Sequence, residues 1–205
     1  MSQVFWCQRD TAPRGAPALF LDRDGVVVEE VGYLHRVEDV RLLPGAAEVV
    51  QAAQRARLGV GLVTNQAGIG RGYYGWDEFR AVQDEIARQL GLGPEPFDFV
   101  AACGAHPDAS VPVQRIADHA WRKPNPGMLQ MARLTLGVDL GRSVLVGDQM
   151  SDLQAGRAAG VGRLVHVRTG HGAAGEEGVA AFAAEHPEVV RLESLSEVPA
   201  ALGWR

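Results

Sequence analysis

The feature that most narrows the possible folds is a series of short, unbroken apolar runs that each stop at polar residues. Ala18–Leu21 ends in Asp22-Arg23-Asp24-Gly25, the run at 58–66 closes with Thr64-Asn65-Gln66, and "SVLVGD" at 143–148 closes with Asp148. Runs of similar length lie at 97–103 and 163–168, and a shorter "EVVRLES" follows near the end. A strand with one face in water alternates apolar and polar side chains, whereas a continuous run belongs to a strand covered on both faces. Between the runs lie helix-period segments at 44–57, 76–90, 125–137 and 150–160. Pro44 stands near the first start, and Gly91 and Gly160 act as stops. The tail adds an Ala-rich helix and the helical segment "LSEVPAALG". This alternation predicts an α/β fold, a Rossmann-like parallel sheet with helices on both faces.

One domain over 17–205 accounts for the pattern, preceded by an irregular N-terminal arm at 1–16. The stretch 103–122 is too long and irregular for a simple connection, which marks it as a functional loop. With 20 basic against 25 acidic side chains the net charge is -5, so the basic stripe of a nucleic-acid or anionic-membrane binder is not expected. No run reaches the roughly 18 apolar residues of a membrane span. The first residues lack the basic flank and apolar centre of an export signal. A monomeric, cytoplasmic protein is therefore expected, with Cys7 and Cys103 as free thiols.

Ligands of open α/β sheets bind outside the carboxyl ends of the strands, so the residues just past each run carry the chemistry. They are Asp22 and Asp24, then Thr64, Asn65 and Gln66, then Arg122 and Lys123 after the long loop, then Asp148 with Asp152 nearby. Acidic, hydroxyl and cationic groups in this order suit Mg²⁺-assisted phosphoryl transfer. A phosphate monoester is a dianion and repels an anionic nucleophile unless positive charge is supplied. Carboxylates at Asp22 and Asp148, with the Asp24 carbonyl, offer hard oxygen ligands to Mg²⁺. Lys123 offers a point cation, and Thr64 and backbone N–H groups offer hydrogen bonds to the equatorial oxygens. Asp22 then has the role of nucleophile. Side chains two apart on an extended segment share a face, which places Asp24 beside Asp22 as acid and base. Asp152 lies in the first turn of a helix, where an acid also favours the dipole without any further role. Receiver-type phosphoacceptor modules use a similar inventory but pair adjacent acids on the first strand, whereas the pair here is spaced.

"LDRDG", "VTNQAGIGRG", "RKPNPG" and "VGDQMSD", in this order, resemble the haloacid dehalogenase phosphohydrolases, and among them the heptose 1,7-bisphosphate phosphatases. The resemblance spans about Pro17 to Gly170. It implies a fold without a large cap domain and a Mg²⁺-dependent release of the C7 phosphate from a heptose bisphosphate through an aspartyl-phosphate at Asp22. It also implies Asp24 as acid/base, Thr64 and Lys123 on the phosphate, and Asp148 on the metal. The same likeness implies that Arg23, Tyr33, Asn65, Gln66, Arg71 and Arg122 contact the sugar or its far phosphate, with "GYLHRVED" as a substrate-facing flap. Histidinol-phosphate phosphatases share the "TNQ" and "RKP" cores and are the alternative.

The chain departs from that pattern in the long loop, where many relatives carry a structural zinc on Cys-x-His and Cys-x-Cys. Cys103 keeps a ligand type, but Ala105 and Trp121 cannot bind, and His119 stands where a cysteine would. A tetrahedral site needs four donors. Structural Zn²⁺ is therefore doubtful, a partial site of Cys103, His106 and His119 with Asp118 being the alternative, and packing around Trp121 is expected to hold the loop. Val26 and Gln149 replace the usual Thr and Lys without removing a catalytic group.

Overall fold

The computed structural model describes residues 1–8 and 13–204. Its strands are β1 (Gln3–Cys7), β2 (Ala18–Leu21), β3 (Gly59–Asn65), β4 (Phe99–Cys103), β5 (Val144–Gly147), β6 (Arg163–Val167) and β7 (Val189–Leu192). Its helices are α1 (Ala46–Arg55), α2 (Ala67–Gly70), α3 (Trp76–Leu90), α4 (Gly127–Leu136), α5 (Met150–Ala159), α6 (Glu176–Glu185) and α7 (Val198–Ala201). The strands form one sheet in the order β1-β4-β3-β2-β5-β6-β7, parallel throughout except for β1 on β4.

The unbroken apolar runs divide their side chains between two cores, as the two-residue period of a strand requires. Leu19, Leu21, Val60, Leu62 and Val146 face the layer of α1 and α3, with Val49, Val50, Phe79 and Ile86. Ala18, Phe20, Val63, Leu145 and Leu164 face the layer of α4 and α5, with Met128, Leu129 and Leu153. Glycine within β3 has a packing reason: a methyl group on Gly61 would collide with the Phe99 ring.

β2 pairs with β3 on one side and β5 on the other, Leu21 lying opposite Leu62 and Val146. The chain runs from β2 through β3 to β4 on one side and then crosses to β5, β6 and β7 on the other, so the strand order reverses at β2 and opens a crevice beyond its carboxyl end. Between β2 and α1 the chain makes an excursion that folds back on itself, Glu29 N–H donating to Arg41 O and Leu43 N–H to Val27 O, both at 2.9 Å. No large cap is inserted there.

The irregular arm expected over 1–16 needs correcting: Gln3–Cys7 is an edge strand, antiparallel to β4 from Gln3↔Cys103 to Cys7↔Phe99. Pairing and ring contact with β4 form it, Phe5 stacking on Phe99 at 5.4 Å. Residues 9–12 of that arm lie outside the described residues. No described helix is long and apolar enough to cross a membrane.

Candidate active site

The Asp22 N–H adds a last rung to the sheet by donating to Val146 O at 3.0 Å. That rung sets its side chain at the foot of a cleft of about 560 Å³. Oδ1 of Asp22 receives the Arg23 N–H at 2.7 Å and lies 3.0 Å from Lys123 Nζ. The same ammonium makes an ion contact of 2.5 Å with Asp152 Oδ1 and donates to Val63 O at 2.9 Å. Asp152 is fully buried, and its second oxygen accepts the Gln149 N–H at 3.0 Å, closing the first turn of α5. Asp148 hangs between two glycines: its Oδ2 accepts the His171 N–H at 2.7 Å, and any side chain on Gly25 or Gly170 would strike the carboxylate.

Across the cleft, Gln66 organises a second group. Its amide nitrogen donates to Thr64 Oγ1 at 2.8 Å and to Asp24 Oδ2 at 3.0 Å, while its oxygen accepts the Tyr74 hydroxyl at 2.7 Å. Tyr74 thereby fixes which way the Gln66 amide faces. Asp24 also receives Arg23, whose Nε and Nη2 lie 2.9–3.1 Å from its oxygens. The Arg23 guanidinium is nearly inaccessible and lies over the Phe79 ring at 5.2 Å. Asn65 clasps the backbone of the long loop, donating to Lys123 O and accepting Lys123 N–H, each at 3.0 Å.

Ligand oxygens of Asp22, Asp148 and Asp152 lie within 4.8 Å of one another, the one such gathering of three His, Cys, Asp or Glu residues among the described residues. One ammonium cannot balance three carboxylates. Burial first, then mutual repulsion, pushes Asp22 up to about 7 against the pull of Lys123, and Asp148 up to about 8. Burial opposes the Lys123 charge, yet Asp152 and Asp22 hold it above the ordinary lysine value. Oδ1 of Asp148 is buried with no protein partner, which is costly for a carboxylate oxygen. Three hard oxygen donors, one of them orphaned, and an uncompensated negative charge fit a divalent cation such as Mg²⁺.

The sequence expectations place most of these groups together. Asp22, Asp24, Tyr33, Thr64, Asn65, Gln66, Arg122 and Lys123 are among the residues that line the cleft, and Asp148 is buried at its foot beside Asp22. Arg23 lines it as well, with Nε and Nη2 on Asp24 and Nη1 without a protein partner. One placement differs. Arg71 does not line the cleft; its Nη2 lies 3.5 Å from His106 Nε2. Asp152 joins the gathered carboxylates without having been assigned to the metal, while the Asp24 side chain is taken by Arg23 and Gln66, which leaves the Asp24 carbonyl as the group expected on a cation. Glu30, Tyr74, Ser151 and His171 also line the cleft and carried no sequence signal beyond their neighbourhood to the motifs. In the long loop, Cys103 Sγ lies 3.6 Å from His119 Nδ1, while His106 turns to Arg71.

Comparison with known proteins agrees with this geometry. Residues 120–198 match the HAD-hydrolase-like family model. The chain is 44% identical over 149 residues to the D-glycero-beta-D-manno-heptose-1,7-bisphosphate 7-phosphatase of Mesorhizobium japonicum, spanning 73% of this chain and 68% of that protein. It is 34% identical over 190 residues to the same-named enzyme of Escherichia coli K12, covering 92% and 95%. Among solved structures it resembles the D,D-heptose 1,7-bisphosphate phosphatase of B. bronchiseptica, crystallised with magnesium and phosphate. That match has 29% identity and a TM-score of 0.75, covering 91% of this chain and 97% of that one.

Proposed function

The chain belongs to the D-glycero-D-manno-heptose-1,7-bisphosphate 7-phosphatase family of HAD-like phosphoric monoester hydrolases, and from that premise we propose that it releases the C7 phosphate of a heptose 1,7-bisphosphate. The observation that carries the reading is the meeting of Asp22 with Lys123 at 3.0 Å beside Asp148 and Asp152. With both donors on Oδ1, Oδ2 of Asp22 is the oxygen that attacks phosphorus. The P–O bond to the sugar breaks as the Asp22–phosphorus bond forms, and Asp24 gives its proton to the departing alkoxide. Asp24 then takes a proton from the water that cleaves the aspartyl-phosphate, which returns Asp22 and releases inorganic phosphate. Arg23 and Gln66 hold Asp24 for both transfers. Lys123 and the Thr64 hydroxyl face the phosphoryl oxygens. Mg²⁺ held by Asp22, Asp148 and the Asp24 carbonyl, with Asp152 next to them, would supply the remaining positive charge.

Arg122 lines the cleft and supports a bisphosphate rather than a monophosphate substrate. It feels the like charge of Arg71, and burial and that repulsion together lower its proton affinity. Cations held close without a carboxylate favour an added anion, and guanidinium suits phosphate. The test is phosphate release from heptose 1,7-bisphosphate and from histidinol phosphate, measured as kcat/KM on the same preparation. A larger kcat/KM for histidinol phosphate overturns the substrate and leaves the chemistry standing. Asp22→Asn is expected to abolish turnover, and near-native activity in that variant overturns the covalent step.

A further inference from the structure

We propose that the N-terminal segment formed by Ser2 and the strand β1 that follows it is a positioning element of the active site, setting Arg122 through a hydrogen-bonded path from Ser2 to His119; the consequence for turnover rests on the substrate reading above. The path is continuous. Ser2 O accepts the Gly104 N–H at 2.9 Å, where β4 gives way to the long loop. Ser2 Oγ lies 3.2 Å from His119 Nε2 and donates to Gln3 Oε1 at 2.7 Å. His119 Nδ1 accepts the Trp121 N–H at 3.1 Å, so in the neutral ring the proton sits on Nε2 and points at Ser2. The carbonyl of His119 accepts the Arg122 N–H at 2.9 Å. At its other end, Arg122 Nη1 donates to Ala105 O at 3.0 Å, one residue beyond the amide held by Ser2. Both ends of Arg122 thus hang on residues fastened to Ser2.

Ring packing reinforces the link. Phe5 meets Trp121 edge-on at 6.3 Å while stacking on Phe99. Lys123 has a separate fastening, since Asn65 holds its peptide group directly. The strand therefore bears on Arg122 and substrate affinity, and Asn65 bears on Lys123 and the chemical step. Burial lowers the proton affinity of His119, which keeps the ring in the neutral form that the path requires.

The experiment uses the full chain with Ser2→Ala, His119→Asn and the double variant. Asn at 119 keeps an oxygen for the Trp121 N–H and loses the reach to Ser2. Expected for each is a KM for heptose 1,7-bisphosphate raised roughly fivefold, the size of one lost hydrogen bond. The double variant should be no worse than the poorer single one, because both cut the same link. Expected kcat stays within about twofold, and KM for p-nitrophenyl phosphate, which has no second phosphate, does not move. Equal KM changes on both substrates, additive losses or unchanged KM overturn the proposal. Hydrogen exchange over residues 104–122 tests the fastening without turnover: faster exchange in the variants supports it, and unchanged exchange overturns it. If the parent protein ignores the bisphosphate while the exchange effect is present, the substrate reading fails and the fastening stands. One zinc per chain in the purified protein overturns the proposal, because a metal would then hold the loop.

Discussion

Replacing Lys123 by methionine keeps the length of the side chain and removes the one ammonium that Asp22 and Asp152 share. Lys123 is 5% exposed, and Nζ has three partners: Asp22 Oδ1 at 3.0 Å, Asp152 Oδ1 at 2.5 Å and Val63 O at 2.9 Å. Breaking a buried ion pair by deleting one partner costs about 3–5 kcal/mol when the other charge stays ionised. In the metal-free protein the carboxylates have an escape. Asp22 stands at about 7 with the lysine pulling it down, so losing the lysine lifts it further and the site takes up protons. A carboxyl group whose folded value lies above its unfolded one contributes stability below the unfolded value, about 4. That contribution is lost as pH rises through the folded value. The variant's deficit should therefore be larger near pH 8.5 than near pH 5 by about 2 kcal/mol, reflecting the pH range over which Asp22 is ionised in the parent and protonated in the variant. For a chain of this size that difference is roughly 4–8 °C in Tm. Urea or thermal unfolding of parent and Lys123→Met in EDTA at several pH values measures it. A deficit of the same size at pH 5 and pH 8.5 would refute the reasoning, since the loss would then come from packing and not from uncompensated charge.

Three further outcomes follow from the same geometry. In EDTA the parent should lose stability as pH rises from about 4 to 8, where Asp22 and Asp148 ionise; added Mg²⁺ should raise Tm most at the alkaline end, and a pH-independent shift would count against those groups as its ligands. Gly25→Ala puts a methyl group against the Asp148 carboxylate at a backbone φ of 78°, so a loss of at least about 2 kcal/mol and weaker Mg²⁺ binding are expected by calorimetry. Asp152→Asn keeps an oxygen for the Gln149 N–H and drops the charge; Mg²⁺ affinity should fall about 10–100-fold with the start of α5 intact by circular dichroism, and an unchanged affinity would make Asp152 a helix-terminal residue only.

What could be read from the chain in advance was what local order encodes. Continuous apolar runs announce doubly covered strands, and the residues that end them fall in the crevice because strand direction puts them there. Asp22, Thr64 and Asp148 are legible for that reason. The strand Gln3–Cys7 was not, because its apolar residues show no clean period and its stability comes from β4 and Phe99, far along the chain. The pairing of Asp152 with Lys123 is equally non-local, and an acid in a first helical turn has an adequate local explanation. For Arg23, which stands between two acids, nothing local tells how a guanidinium divides itself between a neighbouring carboxylate and the cleft.

Asn65 touches the long loop through a peptide group and not through any side chain. A clasp of this kind is blind to the side chain that residue 123 carries, proline excepted because it has no N–H to give Asn65. Chemistry and anchorage are thereby separable at one position. A screen of the eighteen replacements other than proline at 123 would read the demand for a cation on an anchored backbone, with arginine alone among them keeping a fixed positive charge.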